Sequence, residues 1–149
     1  YQSRVSGPML DRIDIAIDLA PVTPADLARP ATGEPSADVA ARVSAARAIQ
    51  RERARAETGA EAVNAALPDA ALEKVASPDA DGATLLTRAA ETLGFSARGY
   101  HRILRVARTL ADLEGETPVR RRHIAEAVSY RRRDGAPAGA PEFSARTTA

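Results

Sequence analysis

Ser96-Ala97-Arg98-Gly99-Tyr100-His101-Arg102-Ile103-Leu104-Arg105-Val106-Ala107-Arg108-Thr109 reads as one helix with two unlike faces. At 100° per residue, Tyr100, Ile103, Ala107, Leu110 and Ala111 share one arc. Arg98, His101, Arg102, Arg105 and Arg108 share roughly the opposite arc. Ser96 supplies an N-cap and Gly115 a stop, so the helix is expected over about 97–113. A helix that docks by one face and offers guanidinium groups from the other suits phosphate recognition. The pattern alone leaves open whether that phosphate belongs to a nucleotide, to DNA or to nothing.

Helices are expected on both sides of it. Residues 37–57 form a long Ala- and Arg-rich helix, with Ser36 as N-cap and Gly59 as C-cap. Its inner edge is expected at Val39, Val43, Ala46 and Ile49/Gln50. Pro68 opens a short helix over about 69–76, and Pro78 separates it from another over about 81–93, closed by Gly94. That helix presents Leu85, Leu86, Ala89 and Leu93 to the core. Thr117-Pro118 reads as an N-cap followed by Pro at the first helical position. The last helix should then run to about Arg132, with Ile124, Ala127, Val128 and Tyr130/Arg131 inside.

Before the bundle the pattern changes. Ile13, Ile15, Ile17 and Leu19 alternate with Asp14, Ala16 and Asp18, as in a half-buried β-strand. One strand is not stable alone, so a sheet completed by other strands is expected. Residues 21–35 contain Pro21, Pro24, Pro30, Gly33 and Pro35 and read as a linker, with one helical turn around Asp26-Leu27-Ala28. Residues 134–149 are rich in Gly, Pro, Ala and Ser and are expected to be disordered. The organisation is an edge piece of an α/β layer, a linker and a small helical bundle.

Charge is unevenly placed along the 149 residues. The net charge is only +1, yet residues 98–133 carry ten basic and four acidic side chains. Arginine outnumbers lysine twenty to one, a skew that fits a GC-rich genome and is weak as a functional sign. Aromatics are too few for a base-stacking platform. Cysteine is absent, which excludes disulfides and thiolate metal sites. No signal peptide or long apolar run argues for export or a membrane, and a cytoplasmic location is the default expectation.

The chemistry classes narrow quickly. No G-x-x-x-x-G-K-[ST] loop and no acidic pair after a buried strand is present, so the chain is not expected to hydrolyse ATP by itself. His101 and His123 lie on different helices without a second ligand at i+3 or i+4, so no metal site is expected and both read as surface histidines. No hydrolase triad can be argued. Arg12 stands where a short helix meets the strand, a place from which an Arg at a subunit edge reaches a neighbour's phosphate. The plainer reading is a surface Arg paired with Asp11 or Asp14. Arg102, Arg105 and Arg108 could line a DNA path, touch a neighbouring subunit or pair with acids. Arg108 and Asp112 have the i,i+4 spacing of a plain helix pair. Arg120, Arg121 and Arg122 oppose the dipole at a helix start, which hints at an external anion or a carboxylate partner.

Tyr1-Gln2-Ser3-Arg4-Val5-Ser6-Gly7-Pro8-Met9-Leu10-Asp11-Arg12-Ile13-Asp14, together with the Ser96–Thr109 stretch, resembles the ComM/YifB competence proteins, which are Mg-chelatase-like AAA+ ATPases. The resemblance covers about residues 1–133. Asn64-Ala65-x-Leu67 and Tyr130-Arg131-Arg132 also fit. Val5, Met9 and Ala16 depart from the usual Ile, Leu and His, and no charged motif residue is lost.

The resemblance implies a mainly α fold: an AAA+ helical lid bundle preceded by an edge strand of a truncated α/β AAA+ core. Residues 1–20 would be the core edge, 21–35 the linker, 36–133 the lid and 134–149 a tail. Arg12 then resembles an arginine finger acting in trans, and Arg98 a sensor-2 residue reading ATP phosphate. The implied cofactors are ATP and Mg²⁺ in the full-length assembly, with none expected in this chain. The implied partners are copies of itself in a hexamer and DNA, on which such motors drive branch migration. Two other readings remain open: an autonomous helical DNA-binding module, and a subunit of a metal-chelatase motor.

Overall fold

A computed structural model describes residues 12–30 and 33–131. Residues 1–11, which hold most of the first motif, and the expected tail at 134–149 lie outside the described residues, as do Arg132 and Arg133. The described chain is helical: α1 Pro24–Leu27, α2 Ser36–Thr58, a 3-10 turn at Asn64–Ala66, α3 Asp69–Val75, α4 Ala80–Leu93, α5 Ala97–Leu113 and α6 Arg121–Ser129.

Local chemistry sets most of these limits. Gly59 ends α2 at φ 76°, with its N–H bonded to Arg55 O. Gly94 ends α4 at φ 63°. Both conformations are cheap for glycine and costly for any residue with a Cβ. Asp79 caps α4 by accepting the Gly82 N–H at 2.8 Å, and Ser96 caps α5 by accepting the Gly99 N–H at 3.1 Å.

The start of α6 differs from the Thr117-Pro118 expectation. Its N-cap is Arg120, whose backbone N–H donates to His123 Nδ1 at 2.9 Å. Val119 is drawn into the core instead of starting a helix. Its carbonyl accepts the Asp79 N–H at 2.9 Å, and it forms a parallel bridge with Pro78. That pairing holds the turn before α6 in extended form, and the helix starts only beyond it.

α5 is the centre of the bundle. It packs on α2, α3, the 3-10 turn and α6, while α4 packs on α6. Ile103, Leu104, Ala107 and Ala111 of α5 meet Leu72, Leu86, Val119, Ile124 and Ala127 in one core. Ala107 and Ala111 are one turn apart and fully covered, and their small side chains let neighbouring backbones approach closely.

Two apolar expectations change. The seam of α2 is Ala46, Gln50 and Ala54, whereas Val39, Val43 and Ile49 are exposed. The first two and a half turns of α2 have no buried residue, so the helix begins before the bundle that covers it. Residues 13–19 form no strand, and Ile13, Ile15, Ile17 and Leu19 are exposed. The physical reason is the missing ladder: a strand is defined by its neighbours. The segment instead lies against the bundle, where Ala16 N–H donates to Tyr130 O at 2.9 Å.

Candidate functional site at the start of the basic helix

The capped start of α5 opens onto a groove lined by Asp69, Ala97, Arg98, His101, Arg102 and Arg105. Arg98, in the first turn, is exposed and has no ion pair with a described residue. A free guanidinium beside backbone N–H groups at a helix start is suited to an anion. The neighbouring basic residues are committed inside the molecule. Arg105 donates to Asp69 Oδ1 at 2.7 Å and to Leu67 O at 3.1 Å. His101 bridges the same acidic helix, with Nε2 at 2.8 Å from Glu73 and Nδ1 at 3.5 Å from Asp69.

Arg102 reaches in the other direction. A single nitrogen, Nη1, donates to Asp14 Oδ1 at 2.6 Å and to the backbone carbonyl of Arg12. Arg12 is exposed. Its carbonyl is therefore held while its guanidinium stays at the surface. Arg102 and Arg98 line one groove, so the helix start and the Arg12 segment lie side by side.

Arg108 has a different place from the one its arc suggests. It is 1% exposed and lies among α3, α5 and the turn before α6. Its Nε donates to Asp112 at 3.1 Å, and its terminal nitrogens reach Val75 O, Glu116 O and Thr117 O. Burial pushes its guanidinium below the ordinary value, with Asp112 opposing. The internal i,i+4 pair is what forms here, and a buried guanidinium with every branch used has nothing left for a DNA phosphate.

Sequence reasoning saw Asp112 only as the i,i+4 partner of Arg108 and missed its bonds to Arg53 and Asn64. Its buried carboxylate accepts from Arg53 at 2.6 and 2.7 Å, from Arg108, and from Asn64 Nδ2 at 2.8 Å. Asn64 also accepts from Arg53 at 2.9 Å, and its backbone N–H donates to Gln50 Oε1 at 3.3 Å. One carboxylate thus joins α2, the 3-10 turn and α5. The signal was present in Asn64 and Gln50, polar residues set among apolar helix positions, but their partners lie far away in sequence.

The Arg120–Arg122 run finds carboxylates. Arg120 pairs with Glu116 at 3.1 Å, and Arg122 with Glu114 at 2.9 Å and with Glu116. His123, expected at the surface, is fully buried. Its Nδ1 accepts the Arg120 N–H, so Nε2 carries the proton and donates to Glu114 at 3.0 Å. Glu114, Glu116 and His123 lie close enough to suggest a metal centre. That tautomer occupies both ring nitrogens, and the arginines occupy the carboxylates, so the cluster works as a clasp on α6.

Among the described residues no helix is long and apolar enough to cross a membrane. Residues 33–131 match the family described as "Magnesium chelatase, subunit ChlI C-terminal". Over 132 residues the chain is 40% identical to a Haemophilus influenzae protein named Competence protein ComM. It is 39% identical to YifB of Salmonella typhimurium and 36% identical to YifB of Escherichia coli, both named as uncharacterized proteins. Each of these matches takes in 88% of this chain, which spans 25% of the relative's length.

Proposed function

Because the chain belongs to the Mg-chelatase-like family, as the C-terminal part of its ComM/YifB members, we propose that it is the lid and finger portion of an ATP-driven motor. In this reading Arg98 contacts the phosphates of bound ATP and Arg12 reaches the nucleotide of a neighbouring subunit. ATP and Mg²⁺ belong to the full-length assembly, a hexamer acting on DNA. The printed name of the Haemophilus relative extends the reading to competence.

The observation that carries it is the groove at the start of α5. Arg98 is presented free at its edge while Arg102, in the same groove, holds the Arg12 backbone. Each exposed guanidinium fits phosphate oxygens that gain charge as a terminal phosphoryl group departs, Arg98 at bound ATP and Arg12 at the neighbouring subunit's nucleotide. This chain contributes cations only. The phosphate-binding loop and the metal ligands would come from elsewhere in the protein, and the chain alone is expected to show no turnover.

An autonomous DNA-binding module is less well supported. Of its three candidate residues, Arg108 is buried, and Arg102 and Arg105 are each bound to a carboxylate and a carbonyl. DNA contact therefore belongs in this proposal to the assembled motor.

Steady-state ATPase assays on the full-length protein test the reading. Arg12→Ala should lower turnover by about 10³-fold or more with nucleotide affinity nearly unchanged. Arg98→Ala should lose turnover that unaltered subunits partly restore in mixed assemblies. Normal turnover in either variant removes that residue's assigned role.

A further inference from the structure

Residues 12–16 are held against the bundle by contacts from α5 and from the turn just past α6. Arg102 Nη1 of α5 donates to the Arg12 carbonyl and to Asp14 Oδ1. Arg131, just past α6, donates from Nη1 to Ile13 O at 3.1 Å, and its guanidinium lies 5.9 Å over the Phe95 ring. Tyr130 O accepts the Ala16 N–H at 2.9 Å. The contacts to three peptide groups within residues 12–16 and to one side chain form a strap. None of them is explained by apolar burial, since Ile13, Ile15 and Ile17 remain exposed. The fixed feature is the backbone path that sets where the Arg12 side chain leaves the surface.

We propose that Arg102, supported by Arg131, is a positioning residue for Arg12: it straps the finger segment to the lid helix, so that the finger and Arg98 move as one body. The inference rests on the finger reading of Arg12. A finger acts only when its guanidinium meets the departing phosphoryl group in the right place, and misplacement by about 1 Å costs roughly 10²-fold in rate. A finger on a loose linker would spend most of its time elsewhere. A finger tied to α5 shares whatever displacement nucleotide imposes on the lid. Arg102 thus belongs to the machinery although its guanidinium faces a carbonyl and a carboxylate of its own chain. The chemistry also predicts which substitution is tolerated. Both strap contacts use one nitrogen, so a lysine ammonium can reproduce them as a point charge.

The test uses the full-length protein, with hydrogen exchange of the Ala16 N–H as the readout of the strap and ATP turnover without DNA as the readout of the finger. Arg102→Ala should raise exchange of the Ala16 N–H, which Tyr130 O holds, by about tenfold as the segment loosens. It should lower kcat by roughly 10²-fold, while KM for ATP stays near wild type. Arg102→Lys should restore most of both. Asp14→Ala, which removes the acceptor on the other side of the strap, should repeat the Arg102→Ala pattern more weakly, and it serves should Arg102→Ala fold poorly. Arg12→Ala combined with Arg102→Ala should be no slower than Arg12→Ala alone. Unchanged exchange in Arg102→Ala overturns the strap. Raised exchange with normal kcat, in a protein that Arg12→Ala inactivates, overturns the positioning role and leaves the finger standing. Full turnover in Arg12→Ala removes the finger itself and this inference with it. Lost DNA affinity with normal exchange and DNA-free turnover makes Arg102 a DNA contact instead and overturns the proposal.

Discussion

Arg108 and Asp112 show how much one buried residue decides. An Asp side chain that is fully covered must have its charge answered nearby. Here the carboxylate takes both terminal nitrogens of Arg53, the Nε of Arg108 and the amide of Asn64. Removing it leaves two guanidinium groups facing each other without an anion. Asp112→Ala is therefore expected to destabilise the bundle by about 3–5 kcal/mol, read from urea unfolding of the 149-residue chain. A change under about 1 kcal/mol, the range of exposed pairs, would show that the cluster is solvated and not the joint described. The helical wheel put Arg108 opposite the apolar arc, and that much was legible. It could not show that α5 runs through the middle of the bundle, where the face opposite one set of neighbours meets another set. A periodicity reports direction on one helix and nothing about what lies in that direction.

At the level of whole elements, helix ends were legible where a residue type acts through its own backbone. Gly59 and Gly94 stop helices because they tolerate positive φ, and Ser96 starts one because its hydroxyl reaches the N–H three residues on. The start of α6 was misread because its cap is a histidine used backwards, through Nδ1, from a position inside the helix. The clasp around it has a pH signature. Burial raises the Glu114 carboxyl, but hydrogen bonds from His123 and Arg122 outweigh that and hold it below its ordinary value. The hydrogen bond from Arg122, opposed by burial, holds Glu116 low as well. A carboxyl lowered in the folded state adds stability above its unfolded pKa, and that contribution is lost as pH falls through the folded value. The melting temperature should thus be flat near neutrality and fall once pH drops below about 4.3. In Glu114→Gln/Glu116→Gln it should be lower at neutral pH and fall less steeply in acid. An equally steep acid limb in the double variant would place the acid sensitivity elsewhere.

For the molecule as a whole, the sequence shows a basic segment at 98–133 that looks made for a polyanion. Folding answers much of that charge across the bundle. Arg105 and His101 meet Asp69 and Glu73 of α3, Arg102 meets Asp14, Arg108 meets Asp112, and Arg120 and Arg122 meet Glu114 and Glu116. Asp14, Asp69 and Glu73 come from outside the basic 98–133 segment, and Asp112, Glu114 and Glu116 are its own acids. The same distance effect hid the strap: Ile13–Leu19 alternates like a strand, yet among the described residues its backbone bonds to Arg131 and Tyr130 O and its Asp14 side chain to Arg102, which no local pattern announces. A cation already paired displaces few counterions from DNA, and the slope of log K against log salt counts about 0.9 per phosphate neutralised. The 149-residue chain should therefore bind duplex DNA no better than about 10⁻⁴ M at physiological salt, the weak end of non-specific binding. Its salt slope should be shallow, near −2 to −3, as a few exposed cations such as Arg98 and Arg121 would give. Fluorescence anisotropy of a labelled duplex, titrated from low to physiological salt, measures both. Micromolar affinity with a slope near −6 would mean that the internal pairs open to release their arginines, and would restore the autonomous DNA-binding reading.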